Sequence, residues 1–413
     1  MDAWIAHRAL PGSGSLSRVL AGLGGLGDVP LRLALWNGVR HDLGPDPRVT
    51  VYLPGPRALR YFLPPSLDNL AEGYVNGHYD VLGRARDIAD VAVRLAQGAV
   101  PMQGKFARIM GASWHSRKRD AHAIAHHYDV SNAFYQLWLD RQMVYSCGYF
   151  PTRGETLEQA QNAKLDHILT KIMLRPGERL LDIGCGWGAL VLRAAQKFGA
   201  RAIGVTLSAN QHALASERIA AAGLAGQVEV RLGDYRELDA GDGRFDKITS
   251  VGMFEHVGLK RLPDYFTRIR TLLADGGLVL NHGITSTDPD SGATPLGAAK
   301  FIDKYVFPHG ELPHISLVLR AMQCAGLEPL DLECLRRHYA RTLALWADNY
   351  DSQSEAIRGV VDETTFRVWR IYLAGCAQAF SQNWVSLYQV LACKAGVGER
   401  LDPTPWSRAY MYA

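Results

Sequence analysis

The sequence lacks the features that would place the protein in a membrane or in a secreted compartment. It contains no run of about 18 consecutive apolar residues, so no transmembrane helix is predicted. Its first residues do not form a basic segment followed by an apolar one, so no secretory signal is predicted. The six cysteines include no C-x-x-C pair, which argues against a structural zinc site or a disulfide framework. We therefore expect a cytoplasmic protein.

The chain as a whole has only a small excess of positive charge, but this excess is unevenly distributed along the sequence. The formal net charge is +4. Residues 1–120 hold 15 Lys and Arg against 10 Asp and Glu, whereas the rest of the chain holds 30 against 31. An anionic bilayer attracts a surface with such an excess, by about 1 kcal/mol per well-placed cation. An ordinary arginine-rich, solvated surface would give the same counts.

The length of 413 residues suits two domains. Residues 1–120 mix short strand-like runs with helical stretches and are often interrupted by Gly and Pro. They end in the basic run 117–119, which predicts a linker or an exposed loop. We predict a smaller mixed α/β N-terminal domain over residues 1–120 and an α/β domain over residues 121–413.

Strands and helices alternate in the second predicted domain. The predicted strands are 179–183, 202–207, 228–232, 245–251 and 278–282, with late candidates at 327–334 and 384–393. A helix is predicted at 189–198, and another begins at Ser208, where Gln211 completes a capping-box pattern. Strand–helix alternation at this spacing predicts a parallel sheet with helices on both faces.

A glycine-rich turn, Gly184-Cys185-Gly186-Trp187-Gly188, follows the first of these strands and opens a helix. Glycines let the backbone turn sharply and approach a ligand closely. A dinucleotide site would have G-x-G-x-x-G and an acidic residue after the second strand, where this chain has Thr206. The preceding LLDIG and the absence of a phosphate-binding Lys-Ser/Thr pair favour S-adenosylmethionine (SAM), which has no phosphates. A tight packing turn would also use these glycines.

Longer motifs on both sides of this turn are far more specific. They are HHYDVSN (126–132), YSCGYF (145–150), GCGWG (184–188), GVTLSANQ (204–211), GDYREL (233–238), VGMFEHVG (251–258), NHGI (281–284), KYVFPHGELP (304–313) and HYARTLALW (338–346). With these motifs, the chain resembles the cyclopropane-fatty-acid synthase and mycolic acid cyclopropane synthase family over about residues 121–393. The N-terminal zone resembles, more loosely, the accessory domain of the phospholipid-acting members. The resemblance implies a Rossmann-like SAM-dependent methyltransferase domain with inserted lid helices.

The resemblance also implies which residues bind the cofactor. The matching motif positions are Tyr145, Ser146, Gly184, Gly186, Thr206, Leu207 and Gln211, with Tyr235 and Arg236 where the adenine is held. Thr206 is the family's own residue at the end of the second strand, so the missing acidic residue is no departure from the family.

The family further places a bicarbonate ion beside the sulfonium. By motif position, its ligands here are the backbones of Cys147 and Ile284 and the side chains of Glu255, His282 and Tyr339. An alkene that takes a methyl group becomes a carbocation, which must be kept from water and must lose a proton before a ring can close. A bound anion supplies a base and stabilises the cation electrostatically, and an aromatic face such as that of Tyr145 adds cation–π attraction.

Each of these residues, taken alone, has a purely structural explanation. Glu255 could cap a helix, His282 could be a satisfied core histidine, and Cys147 could be a small buried side chain. Tyr339 alone is uninformative. The catalytic interpretation rests on their joint appearance in matching motifs. His122, His126 and His127 have no carboxylate or cysteine at ligand spacing, so no metal site is predicted.

We therefore expect an enzyme that transfers a methylene group from SAM to the cis double bond of an unsaturated phospholipid acyl chain, with bicarbonate as the base. One alternative is a methyl- or methylene-branched acyl product from the same cation. A second is a small-molecule N-methyltransferase. A third is a catalytically inactive lipid-binding or scaffold protein, against which the intact motifs argue.

The N-terminal zone mixes arginines with large apolar side chains, which suits the interface of a bilayer. These side chains are Trp4, Ile5, Leu35, Trp36, Tyr52, Tyr61 and Phe62. A small self-contained core would also use them. We expect this zone to dock peripherally on the inner face of the membrane, or to organise a homodimer that does. No nucleic-acid partner is predicted.

Overall fold

The computed structural model describes residues 28–63, 65–99, 130–238, 244–290, 299–306, 310–396, 398 and 404–412. Trp4, Ile5, the basic run 117–119 and the histidines at 122, 126 and 127 lie outside these residues, as does the boundary expected at residue 120. None of the described helices is long and apolar enough to cross a bilayer.

A four-stranded mixed sheet lies in the N-terminal zone. Its strands are β1 (Leu31–Ala34), β2 (Arg40–Asp42), β3 (Val49–Tyr52) and β4 (Asp80–Leu82), in the order β2-β1-β3-β4. Strands β1 and β3 are parallel, and the other pairs are antiparallel. Leu31, Leu33, Val49 and Val51 are buried because alternate side chains of a strand face the same side. The 3-10 turn Pro56–Phe62 and the helices α1 (Leu67–Val75) and α2 (Ala85–Ala99) complete this zone.

A seven-stranded sheet carries the predicted methyltransferase topology. Its strands are β5 (Arg179–Ile183), β6 (Arg201–Thr206), β7 (Val228–Leu232), β8 (Phe245–Val251), β9 (Leu273–Ser286), β10 (Leu327–Cys334) and β11 (Val385–Lys394). They lie in the order β10-β11-β9-β8-β5-β6-β7, and β5 to β9 are parallel as predicted. Strand β11 runs antiparallel to both of its neighbours. The strand–helix alternation that predicts a parallel sheet extends only from β5 to β9, so it makes no prediction for β11.

Helices lie on both faces of this sheet, as the alternation predicts. The described helices after residue 130, not all of which touch the sheet, are α3 (Asn132–Gln136), α4 (Leu157–Lys171), α5 (Ala189–Phe198), α6 (Ala209–Ala221), α7 (Leu262–Leu272), α8 (Ala299–Tyr305), α9 (Ile315–Cys324), α10 (Arg336–Ser352), α11 (Ser354–Arg358) and α12 (Glu363–Ser381). Leu180 and Leu278 belong to an apolar cluster on one face, and Leu181 and Val279 to another on the opposite face.

The apolar core of the N-terminal zone continues into helices α10 and α12 without a break. Arg370, on α12, joins the two parts. Its Nε donates to Asp351 Oδ1 at 2.9 Å, its Nη2 to the Gly83 carbonyl at 2.6 Å and its Nη1 to the Tyr74 hydroxyl at 3.2 Å. The second Asp351 oxygen accepts the Ala85 N–H at 2.6 Å. One guanidinium therefore satisfies polar groups from both parts of the chain.

We expect Arg370→Leu to lower the free energy of unfolding by about 3 kcal/mol, because it leaves a mostly buried carboxylate and a carbonyl without their donor. Urea denaturation followed by circular dichroism measures this loss. Arg86→Leu is the matched control, since Arg86 makes an exposed ion pair with Asp348 of α10. Such a pair contributes less than about 1 kcal/mol. Equal losses in the two variants would contradict the anchoring role of Arg370.

Candidate active site

A cavity of about 200 Å³ opens at the carboxyl ends of β5, β6 and β8. Strand β5 has β6 on one side and β8 on the other, and ligands bind parallel sheets at such a switch point. All nine residues predicted to contact SAM line this cavity, namely Tyr145, Ser146, Gly184, Gly186, Thr206, Leu207, Gln211, Tyr235 and Arg236. The fold therefore brings them together, while the contact that each makes with a cofactor stays a prediction.

The glycine turn forms one wall of the cavity, which Gly184, Cys185, Gly186 and Trp187 line. Gly184, Gly186 and Gly188 have φ angles of +81°, +55° and +84°, which strain any residue with a Cβ. The N–H groups of Gly184 and Cys185 donate to the Val205 carbonyl at 2.9 and 3.0 Å. These bonds tie the turn to β6 and hold the wall in place.

Thr206 ends β6 and orients Gln211, which lies in the first turn of α6. Its hydroxyl donates to Gln211 Oε1 at 2.7 Å. The capping box predicted at Ser208 is only half formed, because Ser208 Oγ accepts the Gln211 N–H while the Gln211 side chain turns to Thr206. Because Gln211 Oε1 already accepts this hydrogen bond, the side-chain group of Gln211 that could donate to a ligand is its amide nitrogen.

Tyr235 and Arg236 lie in the 3-10 turn Tyr235–Glu237, after β7. The Tyr235 ring meets the Tyr265 ring edge-on, with 5.5 Å between their centroids. Arg236 Nη2 donates to Asp234 Oδ2 at 2.5 Å, so a carboxylate holds the guanidinium against the cavity wall.

The cavity is also lined by charged residues that the motifs did not indicate, among them Asp182 and Lys164. Thr249 donates to Asp182 Oδ1 at 2.7 Å, and burial raises the pKa of Asp182 to about 6. Lys164 Nζ donates to Ser146 Oγ at 2.9 Å, and burial lowers the pKa of Lys164 to about 8. Asp182 stands in the LLDIG motif, whose acid was a usable signal. Lys164 had no such signal, because its place in α4 does not show which face of the helix meets the cavity.

Glu255 lies in the turn Phe254–His256, after β8. Met253 and His256, on either side of it in the sequence, line the cavity, whereas Glu255 itself is not part of the lining. Its Oε1 accepts the Ile284 N–H at 2.7 Å, and its Oε2 is buried without a partner. Burial raises the pKa of Glu255 to about 7. Because the Ile284 N–H is occupied, it could meet an anion only if Glu255 released it.

His282 precedes Ile284 by two positions and therefore shares its face of β9. Its Nδ1 lies 3.1 Å from Gln389 Nε2, and its Nε2 is buried without a partner. Burial, aided by the charges of Lys164 and Lys171, lowers the pKa of His282, so the ring is neutral. His282 and Glu255 thus each keep one buried polar atom that no protein group satisfies.

Cys147 and Tyr339 reach the same region from outside the sheet. Cys147 Sγ lies 3.9 Å from the Leu335 carbonyl oxygen, which also accepts the Tyr339 N–H at 3.0 Å. The Leu335 N–H donates to the Leu387 carbonyl at 2.9 Å, and Leu387 pairs with Ile284. Burial raises the pKa of the Cys147 thiol, which argues against a nucleophilic role. These contacts place Cys147 and Tyr339 near the end of β9 that carries Ile284.

Known proteins are similar in sequence to this chain over most of its length. A family model described as mycolic acid cyclopropane synthetase matches residues 115–390. A probable fatty acid methyltransferase of Pseudomonas putida is 44% identical over 384 residues, which cover 93% of this chain and 96% of that protein. The tuberculostearic acid methyltransferase UfaA1 of Mycobacterium tuberculosis is 34% identical over 388 residues, which cover 89% of this chain and 88% of that protein.

A solved structure shares the fold as well. The mycolic acid cyclopropane synthase CmaA1, complexed with SAH and CTAB, matches with a TM-score of 0.63 and 34% sequence identity. The match covers 66% of this chain and 98% of that chain. Taken with the cavity at the switch point and the family match, these likenesses identify the chain as a SAM-dependent methyltransferase that belongs to the mycolic acid cyclopropane synthetase family.

Proposed function

We propose that this enzyme transfers one carbon from SAM to the cis double bond of an unsaturated phospholipid acyl chain and closes it into a cyclopropane ring. The observation that carries the proposal is the pair of buried atoms Glu255 Oε2 and His282 Nε2, neither of which has a hydrogen-bond partner. Glu255 bonds the N–H of Ile284, two residues after His282, and follows the cavity-lining Met253 by two residues. An unsatisfied buried polar group costs about 1–3 kcal/mol, so a site that keeps two of them is suited to a ligand.

The residues around the cavity fit SAM. Asp182 and Lys164 supply one acidic and one basic group, which match the ammonium and the carboxylate of an amino acid. Thr206 and Gln211 supply neutral hydrogen-bonding groups, and Tyr235 supplies an aromatic ring. The charged end of the cofactor would therefore lie toward Lys164 and Asp182.

SAM supplies an electrophilic methyl group when it is bound. The alkene forms a bond to this methyl carbon as the methyl–sulfur bond breaks, and the positive charge passes to the neighbouring carbon of the chain. A proton must then leave the new methyl group so that its electron pair closes the ring. Buried aromatic rings keep water away, since the Tyr145 ring lies 5.6 Å from that of Trp138 and 5.2 Å from that of Trp346. Their faces also attract a cation.

We propose bicarbonate as the ligand of Glu255 and His282, because a small anion supplies a base for that proton and a counter-charge for the cation. Neutral His282 can donate one hydrogen bond to it. Glu255, with a pKa of about 7, can both take up and release a proton at neutral pH. Tyr339 and the backbones of Cys147 and Ile284 are the further ligands that the family motifs indicate.

A branched acyl product is the second candidate. UfaA1 and the Pseudomonas relative carry methyltransferase names, and CmaA1 carries the name of a cyclopropane synthase. Loss of a proton from another carbon of the same cation would leave an alkene in place of a ring. We favour ring closure because the unpartnered Glu255 Oε2 and His282 Nε2 could hold the small anion that takes a proton from the new methyl group. A catalytically inactive scaffold would not need the intact motif residues that line the cavity.

The N-terminal sheet has one face suited to a bilayer. Thr50 pairs with Leu82 and Tyr52 with Asp80, and all four side chains point to the same side. Leu82 is 63% exposed and Tyr52 46%. We propose that this face binds peripherally to the inner leaflet, so that an acyl chain can pass from the bilayer to the enzyme. The homodimer stays a prediction.

Purified protein incubated with SAM and liposomes of cis-unsaturated phospholipid should convert the acyl chains. We expect mass spectrometry of the released fatty acids to show the gain of one CH2. We also expect the products to resist ozonolysis, which cleaves only chains that keep a double bond. A gain of CH2 with the double bond retained would contradict ring closure. No mass change, with SAM binding shown by calorimetry, would contradict a lipid substrate and favour an amine.

Glu255→Gln should leave the affinity for SAM within about two-fold and lower kcat by about 10²–10⁴-fold, because an amide can donate a hydrogen bond but cannot relay a proton. Calorimetry measures the affinity, and transfer of a labelled methyl group measures the turnover. Glu229→Gln, which removes an exposed partner of Arg231, is the control and should change neither. A parallel loss of affinity and turnover would instead place Glu255 in the cofactor site.

The full-length protein should co-sediment with vesicles that contain anionic phospholipid, and added salt should release it, because ions screen the attraction. Leu82→Ser should weaken this binding. Leu232→Ser removes a leucine of β7 that is 52% exposed, and it should have no effect. If both variants bind like the wild type, the membrane contact lies elsewhere. Absence of binding by the wild type would contradict the membrane proposal itself.

A further inference from the structure

A chain of buried polar side chains leads from His282 toward the surface. Lys171, on α4, is fully buried, and its Nζ donates to Gln389 Oε1 at 3.1 Å and to Glu333 Oε2 at 2.6 Å. Gln389, on β11, is also fully buried, and its Nε2 lies 3.1 Å from His282 Nδ1. The Glu333 side chain, on β10, is 18% exposed and so ends the chain near solvent.

The Lys171 ammonium group lies against two carboxylates of β10. Its Nζ lies 2.6 Å from Glu333 Oε2 and 3.4 Å from Asp331 Oδ2. Burial opposes the ionisation of Glu333, but His167 and Lys171 outweigh it and lower the pKa of Glu333 to about 2. Lys171 therefore faces an ionised partner throughout the neutral range. An ammonium has three N–H donors and no acceptor.

The direction of every hydrogen bond in this chain follows from that ammonium. Because Lys171 can only donate, Gln389 must turn its carbonyl oxygen toward it. The amide nitrogen of Gln389, which can only donate, then faces His282 Nδ1. That ring nitrogen must accept, and a neutral imidazole that accepts at one nitrogen carries its proton on the other.

We infer that Lys171 and Gln389 are positioning residues that fix His282 in the Nε2–H tautomer, so that its unpartnered ring nitrogen is a hydrogen-bond donor. The use of this donor rests on the proposed function, in which a bicarbonate ion lies beside it. An N–H group attracts an oxyanion, whereas the opposite tautomer would direct a lone pair at it. His282 then holds the anion without taking its proton, and Glu255 is the member of the pair that exchanges protons.

Nitrogen NMR of the full-length protein labelled with 15N-histidine tests the tautomer directly, because protonated and unprotonated ring nitrogens have well-separated chemical shifts. The His282 signals are identified by their loss in His282→Gln. We expect the Nε2–H form in the wild type and in Lys171→Arg, which keeps a donor at Gln389 Oε1. Gln389→Glu places a carboxylate against Nδ1 and should move the proton there. Gln389→Met, similar in size and without a donor, should give a mixture.

Kinetics then test whether the tautomer serves the anion. Gln389→Glu should raise the bicarbonate concentration needed for half-maximal activity by at least about ten-fold, since a hydrogen bond to a charged group is lost, and should leave the KM for SAM unchanged. Ser386→Ala is the matched control. Ser386 is a buried polar residue of the same strand, and its Oγ lies 3.5 Å from Cys334 Sγ, outside this chain.

An Nδ1–H wild type would overturn the inference, as would Gln389 variants with wild-type spectra. A reversed tautomer with an unchanged bicarbonate requirement would overturn the role assigned to it. If the wild-type rate does not depend on bicarbonate, the proposed anion fails, and the spectra still decide the tautomer. Thermal unfolding of each variant shows whether it folds. If Gln389→Glu does not fold, the spectrum of Gln389→Met decides.

Discussion

The close approach of the turn Phe254–His256 to strand β9 is the constraint on which the site depends. Gly283 lies between His282 and Ile284, and a Cβ there would lie 1.7 Å from the Phe254 ring. Only a glycine lets this buried ring lie against the strand, and the ring in turn brings Glu255 to the Ile284 N–H. The Gly252 N–H adds a second tie, to the His282 carbonyl at 2.8 Å. Without this approach, Glu255 would not be held against the strand that carries His282.

The sequence predicted those parts of the fold that depend on local pattern. The bounds of β5, β7, β8 and β10 are confirmed because apolar runs end at clear turn signals. The residues that line the cavity could also be predicted from the sequence, because the carboxyl ends of parallel strands meet at one edge of a sheet. The start of β9 was placed late, at residue 278 instead of Leu273, because Asp275, Gly276 and Gly277 read as a turn.

What could not be predicted depends on partners far along the chain. Lysines are almost never buried unless they are paired, so nothing in α4 indicated that Lys171 is enclosed by Glu333 and Asp331 of β10. The sequence identifies Gln389 only as a strand residue. Its role depends on hydrogen bonds to Lys171 and His282, which are more than 100 positions away. The core shared by the N-terminal zone and α12 could not be predicted for the same reason. Arg370 bonds Gly83 and Tyr74, which are far from it in the sequence and meet it only in the folded chain.

Helix α10 carries Tyr339 in its first turn and Asp351 in its last. At 1.5 Å per residue, the two lie about 18 Å apart along one continuous helix. Asp351 is bonded to Arg370 and to the start of α2, so one end of the helix is fixed to the N-terminal zone and the other lies near β9. The helix is continuous between these two ends. The position of Tyr339 therefore depends on the hydrogen bonds that hold Asp351, at the other end of the helix, to Arg370 and Ala85.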